Sequence, residues 1–242
     1  VNLYRVLPAP PEVYDLASEE GQRDFLELSA AMGSESVRAI MVTNSAGDTV
    51  DDSGTSESLS RGADRKVLGL LRENADAVIV GASTIRSEPV PLPRTTPLVV
   101  LSASGNLHGH KLLSRGAPGE RLVVASAPSH RESLAGALEG MPWELLPWDT
   151  EAPPEELQRV LKETSSSGHL LVEGGRKVWE FCAPITTELL IATIPPPRDS
   201  HEGIPPWWPG SPGNWELRSL FTDDAKMLYY RHEIAAAARP GA

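Results

Sequence analysis

The stretch "LLVEGGRKVWEF", residues 170–181, sets an acid, two glycines and two bases where an apolar run gives way to a helix-like one. Glycines at such a corner let the backbone turn sharply and approach a ligand, and the amides behind them point outward from the start of the helix. Glu173, Gly174 and Gly175 therefore form either a phosphate cradle or a tight turn, and Arg176 and Lys177 add positive charge at that place. A second corner stands at "VGASTIRSE", residues 80–88: an apolar strand ends at Gly81, Thr84 presents a hydroxyl and helix-start amides, and Glu88 lies one turn on. Local chemistry alone also allows an ordinary helix cap and a solvated acid here. Arg72 closes "VLGLLR", where its guanidinium either forks onto two phosphate oxygens or complements a helix C-terminus.

Other reactive residue types lead nowhere so specific. His108 and His110 in "HGHK" have a metal-like spacing but lack a third ligand nearby, which favours a surface loop. Cys182 is the single cysteine, so no intramolecular disulfide or multi-cysteine metal motif exists in this sequence. Its apolar neighbours in "VWEFCAPI" mark it as a small buried hydrophobe rather than a nucleophile. Nothing reads as a Ser-His-Asp arrangement.

These residues need a frame, and the sequence supplies one. From residue 37 short β-like runs alternate with helical ones, the pattern of an α/β domain with buried strands. "VRAIMVT" (37–43), "DAVIVG" (76–81), "PLVVLS" (97–102), "RLVVAS" (121–126), "HLLVEGG" (169–175) and "TTELLIATI" (186–194) read as strands. "GADRKVLGLLREN" (62–74), "SHRESLAGALE" (129–139), "PPEELQRVLKETSSSG" (153–168) and "RKVWEFCA" (176–183) read as helices, with Ser129 and Glu132 at capping-box spacing. The segment 194–213, "IPPPRDSHEGIPPWWPGSPG", carries too many prolines for helix or ladder; it is a lid, a dimer contact or an exposed loop, with Trp207 and Trp208 arguing against full exposure. Residues 214–234 read as a terminal hairpin, and residues 1–35 as an N-terminal arm over a single domain of 36–242, with a helix allowed in "GQRDFLELSAAMGS".

With 33 acidic against 22 basic residues the chain carries a net charge of −11, and no basic run offsets it. Binding along a nucleic-acid backbone is therefore not expected, and an anionic ligand must be held by local amides and a few arginines. No apolar run is long enough to span a membrane, and the first residues lack the pattern of a signal peptide, so the expected location is cytoplasmic.

Five stretches together carry a resemblance. "MVTNSAGDTVDD", "TSESLSRGADRKVLGLLRENADAVIVGASTIRSEP", "PLVVLS", "LLVEGGRKVWEF" and "TTELLIATI" fall in the order and approximate spacing of the riboflavin-pathway pyrimidine reductases. The sequence resembles the reductase half of the bifunctional deaminase-reductase, particularly its stand-alone actinobacterial-type relatives, over about residues 36–194, with a looser match in the closing hairpin. The resemblance implies a dihydrofolate-reductase-like three-layer α/β/α fold with a mixed, mostly parallel sheet. It also implies NADPH as cofactor, a homodimer, and reduction of the ribosyl group of a phosphoribosylamino-pyrimidine to ribityl.

Residue by residue, the resemblance puts Thr43, Ser58, Gly81, Thr84, Glu88, Gly174, Gly175, Arg176, Lys177 and Val178 on the cofactor, with Glu88 also beside the reacting groups as the catalytic candidate. It puts Ser56, Arg72, Leu92, Arg94 and Glu173 on the substrate, with Arg94 open to a shift of one residue because of the prolines around it. Arg86 and Arg115 are candidates for the cofactor's extra phosphate. Two departures keep the substrate open: Ala46 stands where the family has an acid, with Asp48 out of register, and the usual Gly-rich connection is replaced by the Pro- and Trp-rich segment. A same-fold reductase of a pterin or specialised metabolite, or a dinucleotide-binding protein without turnover, remains compatible.

Overall fold

The computed structural model describes residues 1–30, 36–52, 54–149, 151–164, 168–194 and 215–234. The chain opens with β1 (Asn2–Leu7), β2 (Glu12–Asp15) and α1 (Glu19–Ala30), followed by β3 (Ser36–Thr43) and α2 (Asp64–Glu73). Next come β4 (Ala77–Gly81), α3 (Ala82–Ser87), β5 (Val90–Pro91), β6 (Leu98–Leu101), β7 (Leu112–Leu113) and β8 (Leu122–Ser126). The rest is α4 (Arg131–Ala137), β9 (Glu144–Pro147), α5 (Pro154–Thr164), β10 (His169–Glu173), α6 (Arg176–Cys182), β11 (Glu188–Thr193), β12 (Trp215–Asp223) and β13 (Leu228–Ile234). None of the described helices is long and apolar enough to cross a membrane.

Two compact units emerge, one from Val1–Leu71 with Thr186–Ala242 and the other from Arg72–Ile185. In the first, the strand order is β2-β1-β12-β13-β11-β3, with β11 and β3 parallel and the other pairs antiparallel. The expected terminal hairpin is β12 and β13. The first 30 residues are regular structure: β1 pairs with β12, and β2 and α1 bring Tyr14 and Phe25 against Phe221 in edge-to-face contacts with centroids 6.0 to 6.4 Å apart. That geometry suits the ring quadrupoles.

Asp223 ties the hairpin to the start of α2. One carboxylate oxygen accepts from the Ala63 amide and the Tyr229 hydroxyl, each at 2.7 Å, and the other accepts from the Met227 amide at 3.0 Å. Burial, together with the hydrogen bond and charge of Asp223, pushes the Tyr229 phenol up and keeps it a donor. Elsewhere in this unit Arg38, Glu188, Arg231 and Glu233 alternate in sign across β3, β11 and β13, linked at 2.7, 3.4 and 2.5 Å.

The second unit has the strand order β10-β4-β6-β8-β9, parallel throughout, with β5 and β7 as a separate parallel pair. Every residue of β4 and β8 is buried, as strands covered on both faces require, and this accounts for their unbroken apolar sequences. The capping box expected at Ser129 does not form. Pro128–His130 makes a tight turn that takes Ser129 inside it, so α4 starts later, after His130, without a side-chain cap.

Candidate functional site

Two strand-to-helix corners of the second unit lie against each other, one from β4 into α3 and the other from β10 into α6. Gly174 has φ +121°, a conformation that side chains rarely adopt, and a Cβ there would sit 3.2 Å from Thr84 Oγ1 and 3.6 Å from the Gly81 nitrogen. A Cβ on Gly81 would lie 2.7 Å from Val178 Cγ2, inside van der Waals contact. Glycine at both positions is what lets the corners approach so closely. The next residue behaves differently: a Cβ on Gly175 would meet nothing within 4 Å. Gly175 is the N-cap of α6, makes no side-chain cap bond, and its carbonyl accepts from the Val178 amide at 3.1 Å. The corner thus has a tightly packed back and an open front bordered by helix-start backbone, the shape an anion cradle needs.

Thr84 and Glu88 share the other corner. Both are half-buried, and the Glu88 amide donates to the Thr84 carbonyl at 2.9 Å to close the last turn of α3. Lys177 is exposed on the first turn of α6, and Arg176 begins that helix, its side chain lying outside the described residues.

Glu173, the last residue of β10, leads straight into Gly174. Its carboxylate takes both Nε and Nη2 of Arg72, at 2.7 and 2.5 Å, so two residues assigned separately to substrate are bonded to each other. Their side chains are 16 % and 8 % exposed. Burial disfavours the charge on Arg72, but the charge and hydrogen bonds of Glu173 more than offset that, and the Arg72 pKa rises above its ordinary value. The bidentate pairing uses one edge of the guanidinium and leaves the Nη1 side for another anion.

The remaining candidates are placed separately. Leu92 is buried, its amide donating to Leu113 O at 3.0 Å, and Arg94 is exposed; among the described residues neither makes a hydrogen bond or ion pair with the corners. Arg86 donates to the Asn106 carbonyl at 2.6 Å and Arg115 sits in an exposed turn whose amide donates to Glu120. In the first unit, Thr43 is buried at the end of β3 with its carbonyl accepting from Ile194 at 3.2 Å. The Ser56 carbonyl accepts from the amides of Leu59 and Ser60, while Ser58 donates its hydroxyl to Asp51 at 2.5 Å. Asp48, out of register in the sequence, is held by Asn44 through a side-chain bond of 2.9 Å and an amide bond of 2.8 Å.

Some chemistry was not visible in sequence. Ser126 lies 3.0 Å from His130 Nδ1, but its hydroxyl hydrogen goes to the Ser102 carbonyl at 2.6 Å. Nδ1 must then be the donor, the reverse of a general base activating a serine. Cys182 is fully buried, and burial pushes its thiol up to about 12, so no thiolate forms near neutrality. Among the described residues no group of three or more His, Cys, Asp or Glu side chains is disposed to hold a metal ion. Residues 195–213, with Trp207 and Trp208, lie outside the described residues.

Against known proteins, the model of the RibD C-terminal domain matches residues 41–183. Among solved structures, a pyrimidine reductase-like protein from Corynebacterium diphtheriae is 21 % identical, with a TM-score of 0.62 over 83 % of this chain and 92 % of that one. A diaminohydroxyphosphoribosylaminopyrimidine deaminase/5-amino-6-(5-phosphoribosylamino)uracil reductase from Thermotoga maritima is 17 % identical with a TM-score of 0.61. The match covers 90 % of this chain and 62 % of that longer protein. The riboflavin biosynthesis reductase of Saccharomyces cerevisiae is 13 % identical, with a TM-score of 0.54 over 83 % of this chain and 90 % of that one. No curated protein matches the chain in sequence. The fold is the mixed α/β, dihydrofolate-reductase-like one. With its matched region spanning more than half of its residues, the chain belongs to the family of the RibD C-terminal domain.

Proposed function

We propose that this protein is an NADPH-dependent reductase that converts the ribosyl group of a phosphoribosylamino-pyrimidine to ribityl in riboflavin biosynthesis. The observation that supports it most is the pair of apposed corners, in which Gly81 and Gly174 permit contact at the back while Gly175 opens onto free space. A dinucleotide fits there: its pyrophosphate against the backbone of Gly174 through Val178, with Lys177 adding charge and Thr84 a hydroxyl. Bound NADPH would supply the hydride. Glu88, on the Thr84 corner, is the carboxylate assigned to the reacting groups. Arg72 offers its Nη1 side to the substrate phosphate, and Glu173 serves by fixing the plane of that guanidinium. Thr43, Ser56 and Ser58 remain assigned to cofactor and substrate, as do Leu92 and Arg94 to substrate, and pairing into a homodimer belongs to the same reading.

A second reading, a reductase of this fold with another substrate, is favoured by the loop at Asn44: Ala46 carries no acid and Asp48 is bonded to Asn44. One experiment tests both. Thermal unfolding is followed with NADPH, with NADH and without ligand. A ligand at 100 times its Kd stabilises by about 2.7 kcal/mol, or roughly 5 to 11 °C for a chain of this length. A clear shift with NADPH and little with NADH supports the cofactor assignment, and hydride transfer to the phosphoribosylamino-pyrimidine then separates the two substrates. No shift with either dinucleotide removes the reductase reading.

A further inference from the structure

The parallel sheet of the second unit has another concavity, at the end where its strands begin. Ala77 opens β4, Pro97 and Arg121 stand just ahead of β6 and β8, and Glu144 opens β9; all four line one cavity of about 310 Å³. Gly81, at the corner described above, is at the opposite end of β4. The volume lies at the lower bound of those that hold small molecules, roughly 300 to 1,000 Å³.

Its lining has a definite chemistry. Val99, Val123, Leu146 and Leu161 give an apolar interior, and the charged residues are Asp76, Glu144 and Arg121, two carboxylates against one guanidinium. Arg121 and Glu144 meet at 3.4 Å with side chains 49 % and 63 % exposed, a loose pair that a stronger partner can displace. An apolar body with a single positive head complements both features.

Two lining residues also grip the elements that carry the Arg72–Glu173 pair. The buried Thr96 hydroxyl is shared between the Arg72 carbonyl at 2.9 Å and the Ala75 carbonyl at 3.2 Å, at the end of α2. Asp76 exchanges bonds with His169: its carboxylate accepts the His169 amide at 2.6 Å and its own amide donates to the His169 carbonyl at 2.7 Å. His169 is the first residue of the strand that ends at Glu173. A molecule seated against Thr96 and Asp76 therefore acts on the backbone beneath both partners of the ion pair.

We propose that this cavity binds a small ligand with a flat apolar body and one cationic head, and that occupancy changes the anion affinity of Arg72. The second half rests on the reading of Arg72 as an anion receptor; the first does not.

Benzamidine is the probe, benzoate its counterpart of opposite charge, and the full chain is titrated calorimetrically with each at constant ionic strength. Benzamidine is expected to bind at least tenfold more tightly than benzoate. Glu144→Gln, a change at an exposed side chain, should reduce that preference severalfold, and Leu146→Trp should abolish binding by filling the cavity. Unfolding scans confirm that both variants are folded. No preference for benzamidine, or unchanged binding in both variants, overturns the site. Inorganic phosphate is then titrated with and without saturating benzamidine, and its Kd should move at least threefold, with the reciprocal shift in the benzamidine Kd. If both ligands bind and neither alters the other, the coupling is overturned. Should Arg72→Met, Glu173→Gln bind phosphate as well as the parent does, the anion-receptor reading and the coupling built on it are wrong, while the benzamidine result still decides the site.

Discussion

Arg72 and Glu173, 101 residues apart in the chain, share a two-pronged ion pair that joins the last turn of α2 to the end of β10. Neither is an independent ligand-binding group, because truncating one leaves the other as a buried charge without its partner. Arg72→Ala and Glu173→Ala should each destabilise by about 3 kcal/mol, and the double variant by much less than the sum. Urea unfolding of the four proteins measures this. Additive losses would show that the pair is not coupled in solution.

The apposed corners predict a rescue. Gly81→Ala places a methyl 2.7 Å from Val178 Cγ2 and should cost about 1 to 3 kcal/mol by overpacking. Adding Val178→Ala removes that methyl group and should restore part of the loss, even though it deletes buried apolar atoms. Gly174→Ala has no such remedy, because its φ of +121° is unfavourable for alanine whatever its neighbours do. If NADPH is bound as proposed, thermal unfolding with and without it separates lost stability from lost NADPH affinity.

Asp223 closes three hydrogen bonds from buried or half-buried groups. Asp223→Ala strands the Ala63 amide at the start of α2 and the Tyr229 hydroxyl, so a loss of about 3 kcal/mol is expected. Hydrogen exchange should report it first at the start of α2 and across β12 and β13.

His232 supplies a pH dependence. Burial lowers its pKa from 6.5 to about 4, with a backbone hydrogen bond opposing the shift. The unfolded chain therefore takes up a proton at a higher pH than the folded one. The contribution is complete above pH 6.5 and is lost as pH falls from there towards 4. Against His232→Phe, the wild-type midpoint should fall more steeply across that interval. Parallel profiles would show that His232 is not the group responsible.

The frame was readable where burial is uniform. The runs at β4, β6, β8 and β10 are apolar because both faces are covered, and such runs announce themselves. The short pair β5 and β7 is two residues per strand, too brief for any periodicity, and β9 has the half-exposed pattern of an edge. β1 was hidden for another reason: its partner β12 lies over 200 residues away, as in Tyr4 opposite Thr222, and nothing local states that pairing, on which the edge strand β2 in turn depends. Among site residues, the glycine corners could be read because turn geometry restricts residue type. That Glu173 is committed to Arg72, or Ser58 to Asp51, depends on tertiary distance, which spacing does not encode.

The division of the chain also sets an order of assembly during synthesis. The second unit is one uninterrupted stretch, Arg72–Ile185, and can close as soon as that stretch has left the ribosome. The first unit is split by it, and the amide of Ala63 has to wait for Asp223, 160 residues later. At about 5 to 20 residues per second that is a delay of roughly 8 to 30 s. Throughout it β1 lacks β12 and α2 its anchoring carboxylate, and β3 lacks β11 until Thr193 has been made. The hairpin translated after the second unit is therefore what completes the unit begun before it, and a nascent chain stalled before β12 should expose these earlier segments to chaperones and proteases.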